Sequence, residues 1–411
     1  MRNTIQKNSR RMEWCKWGGL ALICITAFLY SLFYVETAGK YSTSYSPDEG
    51  NYINMAKRLL SEGVYSFWGN GPDAYVSPGF PLFLALFMKI FGTDLQGIFC
   101  IKVIQCLLSA LTVFFTFMLG YLLTKKYSVG IIASTLIAIN GVYAFYSCRL
   151  LTETLYYFTM MLFFVVFVLA VQRDKLWLHL LSGALLCVSV MVRPLIIIVL
   201  PFIYIPLIIR KWKQWKEMCQ PILLFAAGFI IVGLPWWIRN LVTMDRLILL
   251  ATQTNPIYAG LAQNVAALGL TDPGSLLGNV ALLFKLLLKD PLGTLYWMTL
   301  GKFNIIFMAN SDVGYGVIFT SVVKNITLYI GLAGCLRALF AKEYRWPTIV
   351  FLIYLLSSFL FVPTQRYALQ YLPFLAIFTG YILTICFQSK TCKGNAPAPM
   401  ETTSTEMDQV D

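Results

Sequence analysis

"FTMMLFFVVFVLAV", residues 158–171, carries no charged side chain and one hydroxyl, that of Thr159. Two later stretches share its character: "LIIIVLPFIYIPLII" at 195–209 and "IVFLIYLLSSFLFV" at 349–362. These runs are apolar on every side, so they do not suit an amphipathic surface helix. They also lack the polar and apolar alternation of a transmembrane β-strand. They read as helices for which the bilayer is the solvent. Outward from them, similar runs lie near 17–35, 98–123, 129–147, 152–171, 176–192, 194–210, 220–240, 317–339, 346–362 and 365–387. The expected fold class is therefore all-α, a polytopic membrane protein of about ten or more transmembrane helices. Composition agrees: 58% of the 411 residues are hydrophobic and 12% charged, and mean hydropathy is +0.69. A soluble domain is about a quarter charged, so that class is excluded.

Charge gives an orientation. With ten spans both termini lie inside, and the segments 1–17, 124–128, 172–176, 210–219, 337–346 and the tail hold 18 of the 32 Lys and Arg. Basic residues concentrated in short loops mark the cytoplasmic side. The net charge of +13 is thus a topology signal, and nucleic acid is not an expected partner. The first run follows Arg2, Lys7, Arg10, Arg11 and Lys16 and has no small-residue cleavage site, so it reads as a retained first helix.

Two stretches, about 36–97 and 241–316, form long outer loops. The second contains "LLGNVALLFKLLLKDPLGTLYWMTLGKFNIIFM" (276–308), short charged pieces expected to lie as helices in the interface, a further membrane hairpin being the alternative. Residues 1–393 read as one integral membrane domain. Residues 394–411, "GNAPAPMETTSTEMDQVD", read as a disordered cytoplasmic tail. None of the ten cysteines sits in a long outer loop and no CxxC pair occurs, so packing is their expected role. The single histidine, His179, lies near an inner helix end, which argues against a zinc site or histidine-based mechanism on the outer side.

The chemistry-bearing stretch is "SPDEGNYINMAKRLLSEG", residues 46–63. Ser46 suits an N-cap, Pro47 the first helical position and Gly63 the stop, with Tyr52, Ala56 and Leu59 on one side. It predicts a short amphipathic helix at the outer surface. Glu49 occupies the capping-box position, so a purely structural duty stays open for it, while Asp48 is the freer carboxylate. Arg149, Arg193, Arg239 and Arg366 fall at outer ends of spans, against the inner bias of basic charge. Each either snorkels to headgroups or meets an anion, and Arg149 can also pair with Glu153 one turn later. A carboxylate beside outer guanidinium groups describes a base and an anion clamp. A phosphate at that level is one that a lipid carrier can deliver.

Seven motifs in order, "SPDEGNYINMAKRLLSEG", "YVSPGFPLFLALFMKIFG" (75–92), "RLLTETLY" (149–156), "GALLCVSVMVRPLIIIVLPF" (183–202), "GLPWWIRNLVTMDRLIL" (233–249), "KDPLGTLYWMTLGKF" (289–303) and "QRYALQYLPFLAI" (365–377), resemble those of the multi-spanning GT-C glycosyltransferases that use polyprenyl-phosphate sugars. That group contains protein O-mannosyltransferases and the aminoarabinose transferase of lipid A. The resemblance implies a plasma (inner) membrane enzyme with an extracytoplasmic active site, moving a sugar from an undecaprenyl-like phosphate carrier to a lipid, polysaccharide or protein acceptor. It implies Asp48 as general base and Glu49 as the second acid, with Arg149, Glu153, Arg193, Arg239 and Arg366 as donor-phosphate or substrate contacts. It assigns no metal or cofactor. One departure is Ser77, where the aminoarabinose transferases have a lysine before the proline. The rival class is a transporter or flippase of lipid-linked saccharides, which would show similar halves and broken midplane helices. Here charge gathers at one face and no half-length repeat is visible. A lipid phosphatase would need a nucleophile or histidine, and a non-catalytic scaffold stays open.

Overall fold

The computed structural model describes residues 2–39, 46–210, 213, 215–253, 255–263, 265, 268–308 and 317–394, and every regular element among them is helical. All but the first residue of the tail, 394–411, lies outside these. Helix α1 (Arg2–Tyr34) runs into a π-turn, and α2 (Pro47–Glu62) and α3 (Gly79–Phe91) fill the first long loop. Then come α4 (Leu95–Thr124), α5 (Tyr127–Ala138), α6 (Gly141–Ser147), α7 (Thr152–Arg173) and α8 (Leu176–Val192). A 3-10 turn (Pro194–Val199) leads to α9 (Leu200–Ile203), α10 (Ile205–Arg210) and the long α11 (Trp215–Met244). The second loop holds α12 (Asn255–Tyr258), α13 (Leu276–Lys289) and α14 (Pro291–Tyr296), followed by two π-turns ending at Met308. The chain closes with α15 (Val317–Phe340), α16 (Arg345–Ser357), a 3-10 turn (Gln365–Tyr371) and α17 (Leu372–Gly394).

All ten apolar runs are helical, but their lengths differ. Helices in α1, α4, α7, α11 and α15, and the Gln365–Gln388 stretch that joins the last 3-10 turn to α17, are long and apolar enough to cross a membrane, and α5 with α6 passes as a pair bent by 60°. The runs at 176–192, 194–209 and 345–360 are shorter apolar helices. At 1.5 Å per residue, a 17-residue helix covers about 25 Å of a hydrocarbon core about 30 Å thick. Each break has a local cause. Pro194 forces Arg193 into extended geometry (φ −142°, ψ 116°) and ends α8. The Asn140 side chain caps α6 by accepting from the backbone N–H of Val142 and Tyr143 (3.1 and 3.4 Å), which fixes the α5–α6 bend.

Packing is tightest between α8 and α11, which meet at backbone level. A Cβ on Gly183 would lie 1.9 Å from the Phe225 carbonyl oxygen, and one on Gly228 would lie 1.9 Å from that of Leu180. Small residues allow such approach in membranes, where apolar side chains gain nothing by leaving lipid. Gly183→Leu or Gly228→Leu must push the helices apart, at about 1–3 kcal/mol or more for an overpacked contact. Yield of monodisperse purified protein should fall sharply for both. Normal yield and unfolding temperature for either would mean that the two helices separate freely.

The bundle has two polar poles. At one, the Tyr127 hydroxyl donates to the Lys16 carbonyl, Lys126 reaches Gln388 (3.0 Å) and Lys125 reaches Gln172 (2.7 Å). The other carries α2 and the charged cluster described next. In the second loop Leu277, Leu288 and Leu292 are at least 80% exposed, so α13 and α14 offer apolar faces to their surroundings, as interfacial helices do. Cys24, Cys100, Cys106, Cys148, Cys187 and Cys335 are free thiols.

Candidate active site

Helix α2 is held by its own ends. The Glu49 N–H donates to the Ser46 hydroxyl and the Ser46 N–H donates to the Glu49 carboxylate (3.0 Å), completing the capping box, while Gly63 closes the helix in the left-handed region (φ 69°). Ala56 is buried, and Tyr52 and Leu59 pack beside it on the core. Glu49 has further work: its carboxylate accepts from the Leu150 N–H (2.9 Å) and pairs with Arg149 (2.5 Å). At 2% side-chain exposure it is a brace joining α2 to the α6–α7 turn. The capping-box duty that the sequence left open for Glu49 is present.

Asp48 points elsewhere. Its carboxylate meets Arg366 at 2.9 Å, the Arg366 Nε stands 3.8 Å from the Glu153 carboxylate, and Arg193 closes on Glu153 at 2.5 Å. The Arg193 Nε also donates to the Thr152 hydroxyl (2.8 Å). Side-chain exposure is 51% at Asp48 and 30% at Arg366, against 16% at Arg193 and 1% at Glu153. The buried pair is the anchor; the open pair is where a ligand can arrive. Burying charges without partners is costly, and Glu153 satisfies two guanidinium groups at once.

The cluster has a tyrosine lining. Tyr367 lies under both arginines, 5.5 Å from Arg193 and 5.8 Å from Arg366, and Tyr156 lies 5.8 Å from Arg193. The Tyr157 hydroxyl donates to the Arg366 carbonyl (3.3 Å) and holds that backbone in place. Burial pushes the Tyr52 hydroxyl to higher pKa, Arg193 and Arg366 opposing and Glu153 and Asp48 adding, so it sits among all four charges. Residues 297–308 brace the Arg366 segment: fully buried Lys302 donates to the Phe359 carbonyl, and burial pushes its ammonium down to about 7. Sequence reasoning passed over Tyr52, Thr152, Tyr367 and Lys302. Tyr52 had a usable signal, standing one turn after Asp48 on the packed side of α2.

The arrangement differs from the sequence expectation at two arginines. Arg149 pairs with Glu49 rather than Glu153, because α7 starts only at Thr152, after Leu151 in extended geometry (φ −124°, ψ 163°). Arg149 is therefore not on Glu153's helix. Arg239 donates to the carbonyls of Asp73 (2.7 Å) and Tyr65 (2.8 Å) and to the Asn240 side chain (2.9 Å), and its ring contacts are Tyr65 and Trp236. It fastens the first outer loop to α11 and stands apart from the Asp48 cluster. Among the described residues, no group of three His, Cys, Asp or Glu side chains is close enough to hold a metal ion.

With six helices, or seven with the bent pair, long and apolar enough to cross a membrane among the described residues, shorter helices between them and a charged cluster at one pole, the chain shares its fold with three solved membrane-protein structures. Residues 75–238 match the family model described as dolichyl-phosphate-mannose-protein mannosyltransferase. Among solved structures, the chain is similar to the Archaeoglobus fulgidus oligosaccharyltransferase tethered to an acceptor peptide (TM-score 0.59, 12% identity, 92% of this chain and 50% of that one). It is also similar to AglB of the same organism in complex with an inhibitory peptide and dolichol-phosphate (TM-score 0.57, 14% identity, 94% and 52%). ArnT from Cupriavidus metallidurans bound to undecaprenyl phosphate is a third (TM-score 0.53, 12% identity, 92% and 62%). The chain thus spans about half to three-fifths of these proteins' length. No curated protein matches it. The resemblance seen in the motifs is borne out at the level of fold.

Proposed function

We propose that this protein is an integral membrane glycosyltransferase that moves a sugar from a polyprenyl-phosphate donor to a cell-envelope acceptor, at the extracytoplasmic face of the plasma membrane. The observation that carries this reading is the Asp48–Arg366–Glu153–Arg193 chain, half open at Asp48 and anchored at Glu153. Two relatives of the fold hold dolichol-phosphate and undecaprenyl phosphate, which supports a lipid phosphate as the donor's anchor.

In the proposed reaction the acceptor hydroxyl attacks the anomeric carbon and the bond from that carbon to the phosphate oxygen breaks. Asp48 takes the hydroxyl proton, and the lipid phosphate leaves with its charge held by Arg366, with Arg193 behind it. Attack from the face opposite the leaving phosphate inverts the sugar. Arg366 is shared between Asp48 and Glu153: a phosphate competes with Asp48 for its donors, so donor binding itself frees the base. Glu49 and Arg149 hold α2 against the α6–α7 turn, and Arg239 holds the first loop.

Both the side of the membrane and the chemistry are testable in sealed vesicles of known orientation. Cysteines placed at 48 and 272 should react with an impermeant maleimide from outside, and one placed at 126 only from inside. Transfer of labelled sugar from a polyprenyl-phosphate donor should require donor in the outer leaflet. Reaction of position 48 from the cytoplasm would overturn the orientation. Movement of intact lipid-linked saccharide across the bilayer without transfer would establish the transporter reading instead.

A further inference from the structure

Below the tyrosine lining, α4, α7, α10, α16 and α17 surround a cavity of about 650 Å³ that the proposed chemistry does not use. Helix α16 leans on α15 and on the Pro194–Val199 turn, and the cavity is the space left between it, α7 and α17. Its wall is apolar and aromatic: Phe164, Phe167, Leu207, Phe351, Phe374 and Phe378. Its upper end reaches Tyr354, whose hydroxyl bonds to Tyr156 and to Gln370 (2.9 Å), and neither Arg193 nor Asp48 lines it. Its lower end lies among Gln172, Lys342 and Trp346, at the lysine-bearing pole. The lip includes Ile209, 59% exposed, so the opening faces lipid as well as water.

Depth and charge narrow the occupant. From Arg345 to Tyr354, α16 rises about 14 Å at 1.5 Å per residue, close to the ~15 Å of one leaflet's hydrocarbon. That length accommodates one acyl chain. At the mouth Lys342 stands free in solvent and Lys125 donates to Gln172, with Lys126, Arg173, Lys175 and Arg345 in the adjoining turns against Asp174 and Glu343. A basic rim with a tryptophan at the interface suits an anionic headgroup. We infer that this groove binds one acyl chain of an anionic phospholipid from the leaflet opposite the candidate active site, its phosphate meeting Lys342 and Lys125. The inference rests on the orientation proposed above only for naming that leaflet cytoplasmic.

The test uses the full-length protein in phosphatidylcholine nanodiscs containing a trace of phosphatidylglycerol with a diazirine on one acyl chain. Photolysis should label residues 345–354 and 374–381 preferentially, and unlabelled phosphatidylglycerol should compete while phosphatidylcholine should not. Lys342→Glu should weaken that competition about fivefold or more, from roughly 1 kcal/mol per basic residue near the membrane surface. Leu207→Trp fills the groove and should abolish the labelling, whereas Leu336→Trp on an exposed face of α15 should leave it intact. Label spread evenly over α1, α11 and α15, unchanged label in Leu207→Trp, or competition by undecaprenyl phosphate alone would each overturn the inference. Sugar transfer is measured separately, so a failure of the enzymatic reading leaves the groove result standing.

Discussion

Asp48→Asn is expected to leave donor lipid bound and to slow sugar transfer by about a hundred- to ten-thousandfold, the usual worth of a general base. Asparagine keeps the size of the side chain and an oxygen to face Arg366, but cannot take a proton from the acceptor. The fold should survive, because the Asp48–Arg366 pair is open to solvent at Asp48 and partly open at Arg366, and ion pairs near the surface contribute about 0–1 kcal/mol. The companion variant is Glu49→Gln. Glutamine keeps the capping-box geometry around Ser46 but leaves Arg149 without its charge partner, so unfolding temperature should drop while turnover per folded molecule falls much less. The decisive measurement is transfer rate at saturating donor for the two variants together, with unfolding followed on the same samples. Near-normal turnover in Asp48→Asn beside an inactive but folded Glu49→Gln would move the base to Glu49. Activity in both would make α2 structural.

The contrast between these neighbouring acids shows where sequence was informative. Ser46, Pro47, Glu49 and Gly63 specify α2 and its caps through local chemistry, and the structure contains each of those bonds. The apolar runs were equally legible, since a segment with no polar side to show water has few alternatives to a bilayer. Less legible was which outer arginines share a site. Arg239 and Arg366 look alike in sequence, each at an outer helix end. The path of the first outer loop places the Asp73 and Tyr65 carbonyls against Arg239, whereas the backbone of Arg366 is held by the Tyr157 hydroxyl and its side chain lies beside Asp48. The i, i+4 spacing of Arg149 and Glu153 invited a helical pair, which the late start of α7 forbids. Long-range partners that fix charge depend on loop paths, and those have no periodic signature. The length of the spans also escaped a window of hydropathy, because Pro194 and Asn140 break helices by geometry.

Arg366→Leu is expected to raise the donor concentration needed for transfer and to lower turnover about a hundred- to a thousandfold, the typical loss when one positioned donor to a developing negative charge is removed. Arg366 is the one guanidinium of the cluster that is both partly open and in contact with Asp48, so a phosphate arriving at the proposed base meets it first. Its loss should not unfold the protein. Glu153 keeps Arg193 at 2.5 Å, and the backbone at 366 is held by the Tyr157 hydroxyl through a carbonyl that every side chain shares. Arg366→Lys restores charge without the planar fork that can grip phosphate while keeping Asp48 in reach, so it should recover affinity more than turnover. Donor binding measured with polyprenyl phosphate, beside single-turnover transfer rates, separates the two effects. If Arg366→Leu binds and transfers as the unaltered protein does, the guanidinium only neutralises Asp48 and Glu153. In that case the phosphate clamp must be sought among other side chains of the same pole.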